Sequence, residues 1–455
     1  MKKEKVVILD KSYKPKNIVI SRHSIEHDVT NLLRKGLTTT SAGGFFFIPY
    51  LLQLDAHNLL ENTGKPKLSG IPKERLGLGM IFESLFGYKV GVRSLDSVSK
   101  ADFGLLAGLP FLPSPSTQYR HLQRYSIKEG LSLQSALGKK MLQLGQIKTT
   151  ESPINIDAHN IKTYSRKEMK KSYITQDKKY GKAIRTFYTQ DQISKKPLMA
   201  IASYSGTSVS QITEKLVKET KEILKRNFIM VADKEWYCGQ LIQDLHKKHG
   251  VSILVPVKRS QKRLNEFETV PIDQYNNSIS GNIAAVYTTM KNFSGPLLLM
   301  LKKNPDGKFF ALITPNQRLT EDDAFPIYTK RWNIEQFFGE NSFLGINHLP
   351  SLNLNAIQMT LSLRLLAFQV FDNFRNDLGA PYNRKTAKII HREFIDGVQG
   401  QIQLKGDTIM IKIFGFEHEA AAASIFTNLE NKLRSTNVDP RIPWLGNRKL
   451  AFKFN

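Results

Sequence analysis

One cysteine, Cys238, in 455 residues excludes a disulfide framework and a zinc site built on thiolates, and it favours a reducing compartment. Long apolar runs are missing too. The most hydrophobic stretch, GGFFFIPYLLQL at residues 43–54, is too short to span a bilayer and contains Pro49. The opening MKKEKVVILDKSYKPK has no apolar segment of signal-peptide length. These absences lead us to expect a cytoplasmic, nucleoid-associated chain without a membrane partner. Negative charge is also in short supply: 40 Asp and Glu stand against 66 Lys and Arg, for a net charge of +26. A polyanion, nucleic acid before any other, is the natural partner. With 41% hydrophobic and 23% charged residues the chain is globular, with room for about two to four domains.

What is present is chemically pointed. In DDAFPIYTKRWNIEQFFGENSFLG, Tyr328, Arg331 and Glu335 are spaced three and four apart, so a helix of about 3.6 residues per turn carries them on one stripe. Upstream, two aspartates end apolar runs of strand character: Asp157 in PINIDAHN and Asp233 in NFIMVADKEW. Two strand-borne aspartates and a helix-borne glutamate offer the hard oxygen ligands that paired divalent cations require. The bland alternatives are strand-end carboxylates and a surface pair at i, i+4 for Arg331 and Glu335.

Along the chain, residues 1–40 are polar and basic and read as a loose arm, and residues 41–150 have a helical pattern. Within that pattern, KADFGLLAGLPFLPSPSTQYRHLQRY at 100–125 is helix-turn-helix-like. Ser116 is the expected cap of a second helix that presents Gln118, Arg120, His121 and Arg124 to DNA, or else forms a plain solvated hairpin. Within a unit expected over residues 151–345, residues 152–256 alternate strand and helix: three strands, helix, strand, helix, strand. The strand INIDAHN puts Asn155, Asp157 and His159 on one face. Residues 257–320 break the alternation with the basic run Lys258, Arg259, Lys262 and Arg263, followed by strand-like segments. Beyond residue 346 come a long apolar helix, which Arg364 argues is a core helix and not a membrane one, a basic helix, a hairpin turning at Lys405-Gly406-Asp407 and a final basic strand.

On these residues the chain resembles the DDE transposases of bacterial insertion sequences, in the branch with a β-rich insertion between the second aspartate and the glutamate. Asp157 and Asp233 lie 76 residues apart and Asp233 and Glu335 lie 102 apart, the latter interval able to hold the insertion. LPSPSTQYRHL and LGINHLPSLNLNAIQMTL extend the resemblance over roughly residues 41–370. It implies an α/β chain: a ribonuclease H-like catalytic domain with first and fourth strands side by side, a helical DNA-binding domain before it and a small α+β region after it. It implies that Asp157, Asp233 and Glu335 bind Mg²⁺, with Mn²⁺ able to substitute. It also implies that Tyr328 and Arg331 contact phosphate, that double-stranded DNA at transposon ends and target is the partner, and that a homodimer forms on paired ends. Lys258, Arg259, Lys262, Arg263, Arg120 and Arg124 are the further DNA-binding candidates. One departure stands out: the family lysine seven residues after the glutamate is Ser342 here. A neighbouring cation compensates, or the activity is impaired, or this branch never used the lysine. Two other readings therefore stay open, a transposase-derived DNA-binding protein without full catalysis and a metal-dependent nuclease.

Overall fold

The computed structural model describes residues 21–66, 70–87, 100–148, 152–164, 168–174 and 178–455. Residues 1–20 of the expected basic arm lie outside this set. The rest of it is not loose. Arg22–Lys35 is a helix with a reciprocal Ser21–Ser24 capping box, and Ile25, Val29 and Leu33 are buried at helical spacing. It leads into strand β1 (Leu37–Thr39). A charge-rich composition masked the three apolar residues that anchor this helix.

The central sheet is built from β2 (Ile154–Lys162), β3 (Lys171–Ile174), β4 (Lys179–Asp191), β5 (Pro197–Tyr204), β6 (Ile229–Val231) and β7 (Ser252–Pro256). It continues through β8 (Tyr275–Ser278), β9 (Gly281–Thr288), β10 (Leu297–Lys303) and β11 (Phe309–Thr314). At its heart the order is β5-β4-β2-β6-β7, antiparallel between β5, β4 and β2 and parallel from β2 through β6 to β7. The first and fourth strands are therefore neighbours, with Ile154 opposite Met230 and Asn155 opposite Val231. The helix Val209–Leu224, capped by Ser208, and the helix Gly239–His249, closed by Gly250 at φ +62°, supply the crossovers that parallel strands need.

The segment 257–320 is not set apart from this sheet. β7 pairs with β11, so the added strands prolong the same surface in the order β11-β10-β9-β8. It also opens on a helix, Gln261–Glu268, capped by Ser260. The alternation of helix and strand thus persists one element further than expected, because a seryl cap outweighed the basic run as a local signal.

A second, four-stranded sheet joins both ends of the chain. It consists of β1, β12 (Gly400–Lys405), β13 (Thr408–Ile413) and β14 (Lys449–Phe454), with the expected turn at Gly406, φ +60°. Between the sheets runs the helix Leu354–Asp377, long and apolar enough by length and composition to cross a membrane but 89% buried inside the protein. Polar residues anchor it. Its Gln358, together with Gln134 of the helix Ile127–Gln143, bonds the backbone of Ala200 at 2.7–3.1 Å, satisfying β5, which among the described residues has no strand on its far side. Asp372 takes Lys196 at 2.6 Å and Arg375 at 2.7 Å, and Arg375 reaches Glu340 at 2.9 Å. That last bond, with Ile334 and Phe337 buried at about 1.5–3 kcal/mol each, docks the helix that carries Glu335.

Candidate active site

The stripe Tyr328, Arg331, Glu335 does not lie on one helix. A helix Glu321–Thr329 ends and a helix Trp332–Asn341 begins, with Lys330 and Arg331 between them. At the junction the bonding tightens to i−3: Arg331 N to Tyr328 O at 3.0 Å, then Asn333 N to Lys330 O and Ile334 N to Arg331 O. Pro326, which brings no N–H to the helix interior, lies one turn before this break. The backbone at Arg331 stays right-handed helical (φ −55°, ψ −30°), so the three side chains still converge.

Asp157 projects from β2 toward this junction. Asn155, two residues back on the same face, donates to Lys330 O at 3.4 Å and accepts from Gln192, which itself donates to Ile327 O at 2.8 Å. The strand is thereby tied to the junction beside the acid it carries. Arg331 then bridges two acids, Nη1 to Asp157 Oδ2 at 3.0 Å and Nη2 to Glu335 Oε1 at 2.6 Å. This is more than a surface i, i+4 pair: Arg331 and Asp157 side chains are each only 15% exposed and Glu335 33%. Bonded to one planar fork, the two carboxylate oxygens stand no more than about 8 Å apart. Asp233 follows β6 and caps the turn Lys234–Trp236, its Oδ1 accepting from Glu235 N at 2.7 Å.

The electrostatics register all three acids together. Burial pushes the Asp157 carboxyl up to about 7; Arg331 pulls it down, and Asp233 and Glu335 push it up. Asp233 is also raised, by burial, against the pull of its backbone hydrogen bond to Glu235. Burial alone would lower the Arg331 guanidinium, but Asp157, Tyr328 and Glu335 outweigh it. Tyr328, whose ring centroid lies 5.8 Å from the guanidinium carbon, is raised by burial.

Two clefts meet here. One, of about 900 Å³, lies between the acids and the added strands and is lined by Asp233, Tyr328, Arg331, Lys258, Arg259 and the Phe309–Phe310 edge. The other, of about 1120 Å³, holds Asp157, Asp233, Glu335 and Ser342 on its walls. Ser342 accepts from Asn347 at 3.0 Å, and Asn347 contacts His159, which stacks on Phe338. His159 is thus a packed, hydrogen-bonded residue, and burial lowers its pKa. Among the described residues, the lysine and arginine lining this cleft are Lys171 and Arg185, the latter ion-paired with Glu235. Neither residue was among the site candidates; their signal was only local basicity.

The donor set, three carboxylates on one wall, has the chemistry for a hard divalent cation. As arranged, however, no three Asp, Glu, His or Cys side chains among the described residues stand close enough to hold one. A guanidinium occupies the space between two of them, so an ion would require Arg331 to move aside.

The remaining candidates divide. Lys258, Arg259 and Lys262 are exposed, Arg259 also donating to Phe309 O at 3.0 Å. Arg263 is a brace, half-buried and bonded to Glu266, Thr288 and Thr289 O. Of the donor-rich helix, now Pro115–Leu122 with Ser114 and not Ser116 as its cap, Arg120 is exposed, as is Arg124 just beyond its end. Gln118 and His121 are buried, Gln118 donating to Glu83 and His121 in contact with Tyr125. A short helix packed on Glu83 and Tyr125 turns half of its donors inward.

With this geometry in view, comparison assigns the family. Residues 148–369 match the model of the transposase DDE domain, so this part of the chain is a DDE-type transposase domain. The match begins just before β2 and ends within the long core helix, spanning all three acids. No curated protein matches the chain in sequence. Among solved structures it is similar to a piggyBac transposase in a synaptic complex with hairpin DNA. The identity is 14% and the TM-score 0.43, over 76% of this chain and 79% of that one.

Proposed function

We propose that this transposase cuts DNA at transposon ends and transfers the strands to target DNA from a centre formed by Asp157, Asp233 and Glu335. The observation that carries this reading is the Arg331 bridge between Asp157 and Glu335, on a cleft that Asp233 also lines. The strand order β5-β4-β2-β6-β7 supports a ribonuclease H-like layout, in which adjacent strand ends bring the two aspartates together. The catalytic unit would run over residues 151–345, with 41–150 as the DNA-binding part and 346–455 as the C-terminal region.

Asp157, Asp233 and Glu335 would hold two Mg²⁺ ions, or Mn²⁺ in their place, which when bound supply Lewis acidity for an in-line displacement at phosphorus. The protein does the rest. Arg331, released from the carboxylates, turns its planar fork to a phosphate, and Tyr328 donates its hydroxyl to a phosphate oxygen. Lys258 and Arg259 hold the backbone on the opposite wall of the first cleft, while Arg120 and Arg124 contact the end DNA. Pairing of two ends on a homodimer, in a nucleoid setting, completes the reading.

The test is cleavage of linear DNA carrying the element's own end, with Mg²⁺, by wild type and Asp233→Ala. Wild type should cut, and the variant should bind with nearly unchanged affinity and not cut. A variant that cuts normally removes Asp233 from the centre; a wild type that binds but never cuts favours the non-catalytic DNA-binding protein, which Ser342 keeps in view.

A further inference from the structure

We infer that the β3–β4 hairpin is a contact surface for unpaired DNA, a strand segment that runs from it along the larger cleft to the acids. This rests on the proposed function and adds a site and a substrate form to it. Tyr173 and Tyr180 are direct cross-strand partners, 46% and 70% exposed, with rings edge-on at 5.5 Å. Tyr164, 85% exposed, lies nearby in the chain with the ammonium of Lys162 4.9 Å from its ring centroid. Lys170, Lys171, Lys178 and Lys179 are exposed in the same hairpin, and the register sets Lys171 directly opposite Lys182. The Tyr173–Tyr180 pair helps hold the hairpin as a cross-strand aromatic contact, yet both rings stay largely open to solvent beside exposed lysines, a combination that suits an anionic chain with free bases.

Continuity ties the hairpin to the chemistry. Lys171, Tyr173 and Tyr180 line the same 1120 Å³ cleft as Asp157, Asp233 and Glu335. Lysines alone would suit duplex and single strand equally, since both display phosphates. The tyrosines discriminate: bases inside a duplex already stack on one another, whereas a free base can lie on an exposed ring. The Tyr173–Tyr180 pair and its lysines therefore fit a melted or single-stranded flank next to the bond to be cut.

Fluorescence anisotropy without divalent ions tests this, using a blunt duplex end and the same end with an unpaired flank of about six nucleotides. The full-length chain should bind the flanked DNA more tightly. Tyr173→Ala/Tyr180→Ala should weaken the flanked complex about tenfold and leave the blunt one nearly unchanged, and Tyr173→Phe/Tyr180→Phe should retain the preference. Lys171→Ala should lower the salt slope on flanked DNA by about one. Equal weakening on both substrates would make the hairpin a duplex-backbone contact and overturn the inference, as would no weakening, or a Phe variant as impaired as the Ala variant. Failure to bind blunt DNA at all would instead overturn the proposed function.

Discussion

Two buried acids, one in the helical region and one in the sheet, share a raised pKa and differ in everything else. Burial pushes Glu83 up to about 8 and Asp157 up to about 7. Glu83 is fully enclosed in the helix Lys73–Leu85; among the described residues its hydrogen-bonding neighbour is Gln118, and its Oε2 has no partner. Asp157 opens onto a cleft and shares a guanidinium with a second acid, while a third lines the same walls. A displaced pKa marks a desolvated carboxyl; the company it keeps and a path to solvent make it a candidate for chemistry.

That contrast can be broken most forcefully by two isosteric changes. Asp157→Asn should abolish Mg²⁺-dependent cleavage, a loss of several kcal/mol of transition-state stabilisation, on the order of 10³-fold or more. Glu83→Gln should leave the cleavage rate unchanged. Equal rates for the two variants would erase the distinction.

A smaller effect is expected in stability. Both carboxyls hold protons more tightly in the folded chain than at their ordinary values of about 4, so the folded state binds the extra proton. Their contribution is fully present below about pH 4 and is lost as the pH rises, through about 7 for Asp157 and about 8 for Glu83. Urea unfolding without divalent ions should show that fall reduced in each variant, the Glu83→Gln difference extending to the higher pH. A difference growing toward low pH would contradict the assigned direction.

Arg331→Ala removes the one guanidinium shared by Asp157 and Glu335. It should destabilise the ion-free protein by roughly 1–3 kcal/mol, discounted for partial exposure, and added Mn²⁺ should restore part of the loss in a thermal melt. No loss would mean the bridge contributes nothing net.

Smallest are the binding effects. Neutralising exposed Lys258 and Arg259 should flatten the salt dependence of DNA affinity by about two charges, and Arg120→Ala/Arg124→Ala should cost about 1–3 kcal/mol per good base contact on end DNA alone. An unchanged slope removes the first pair from the interface; unchanged end affinity removes the second.

The same two regions explain what could be read in advance. Strand alternation placed Asn155, Asp157 and His159 on one face, while the adjacency of β2 and β6 was expected from the fold that the resemblance implies. Spacing also brought Tyr328, Arg331 and Glu335 together, but not the break at Lys330, which depends on i−3 bonding that no residue pattern announces. The donor-rich helix misled, since periodicity says which residues share a face and not whether another helix covers it. Gln118 and His121 look like DNA-reading residues until Glu83 and Tyr125 are packed against them. The cap at Ser114 shifted for a similar reason: Ser114 and Ser116 flank Pro115, and proline at the first helical position favours the earlier serine.

The central claim, that Asp157, Asp233 and Glu335 form one cation centre now held by Arg331, is tested most directly by anomalous scattering from crystals soaked in Mn²⁺. The account predicts manganese between the three carboxylates, with Arg331 displaced from Asp157 and Glu335. Manganese elsewhere, or none at these acids with the Arg331 bridge intact at saturating ion, would contradict it.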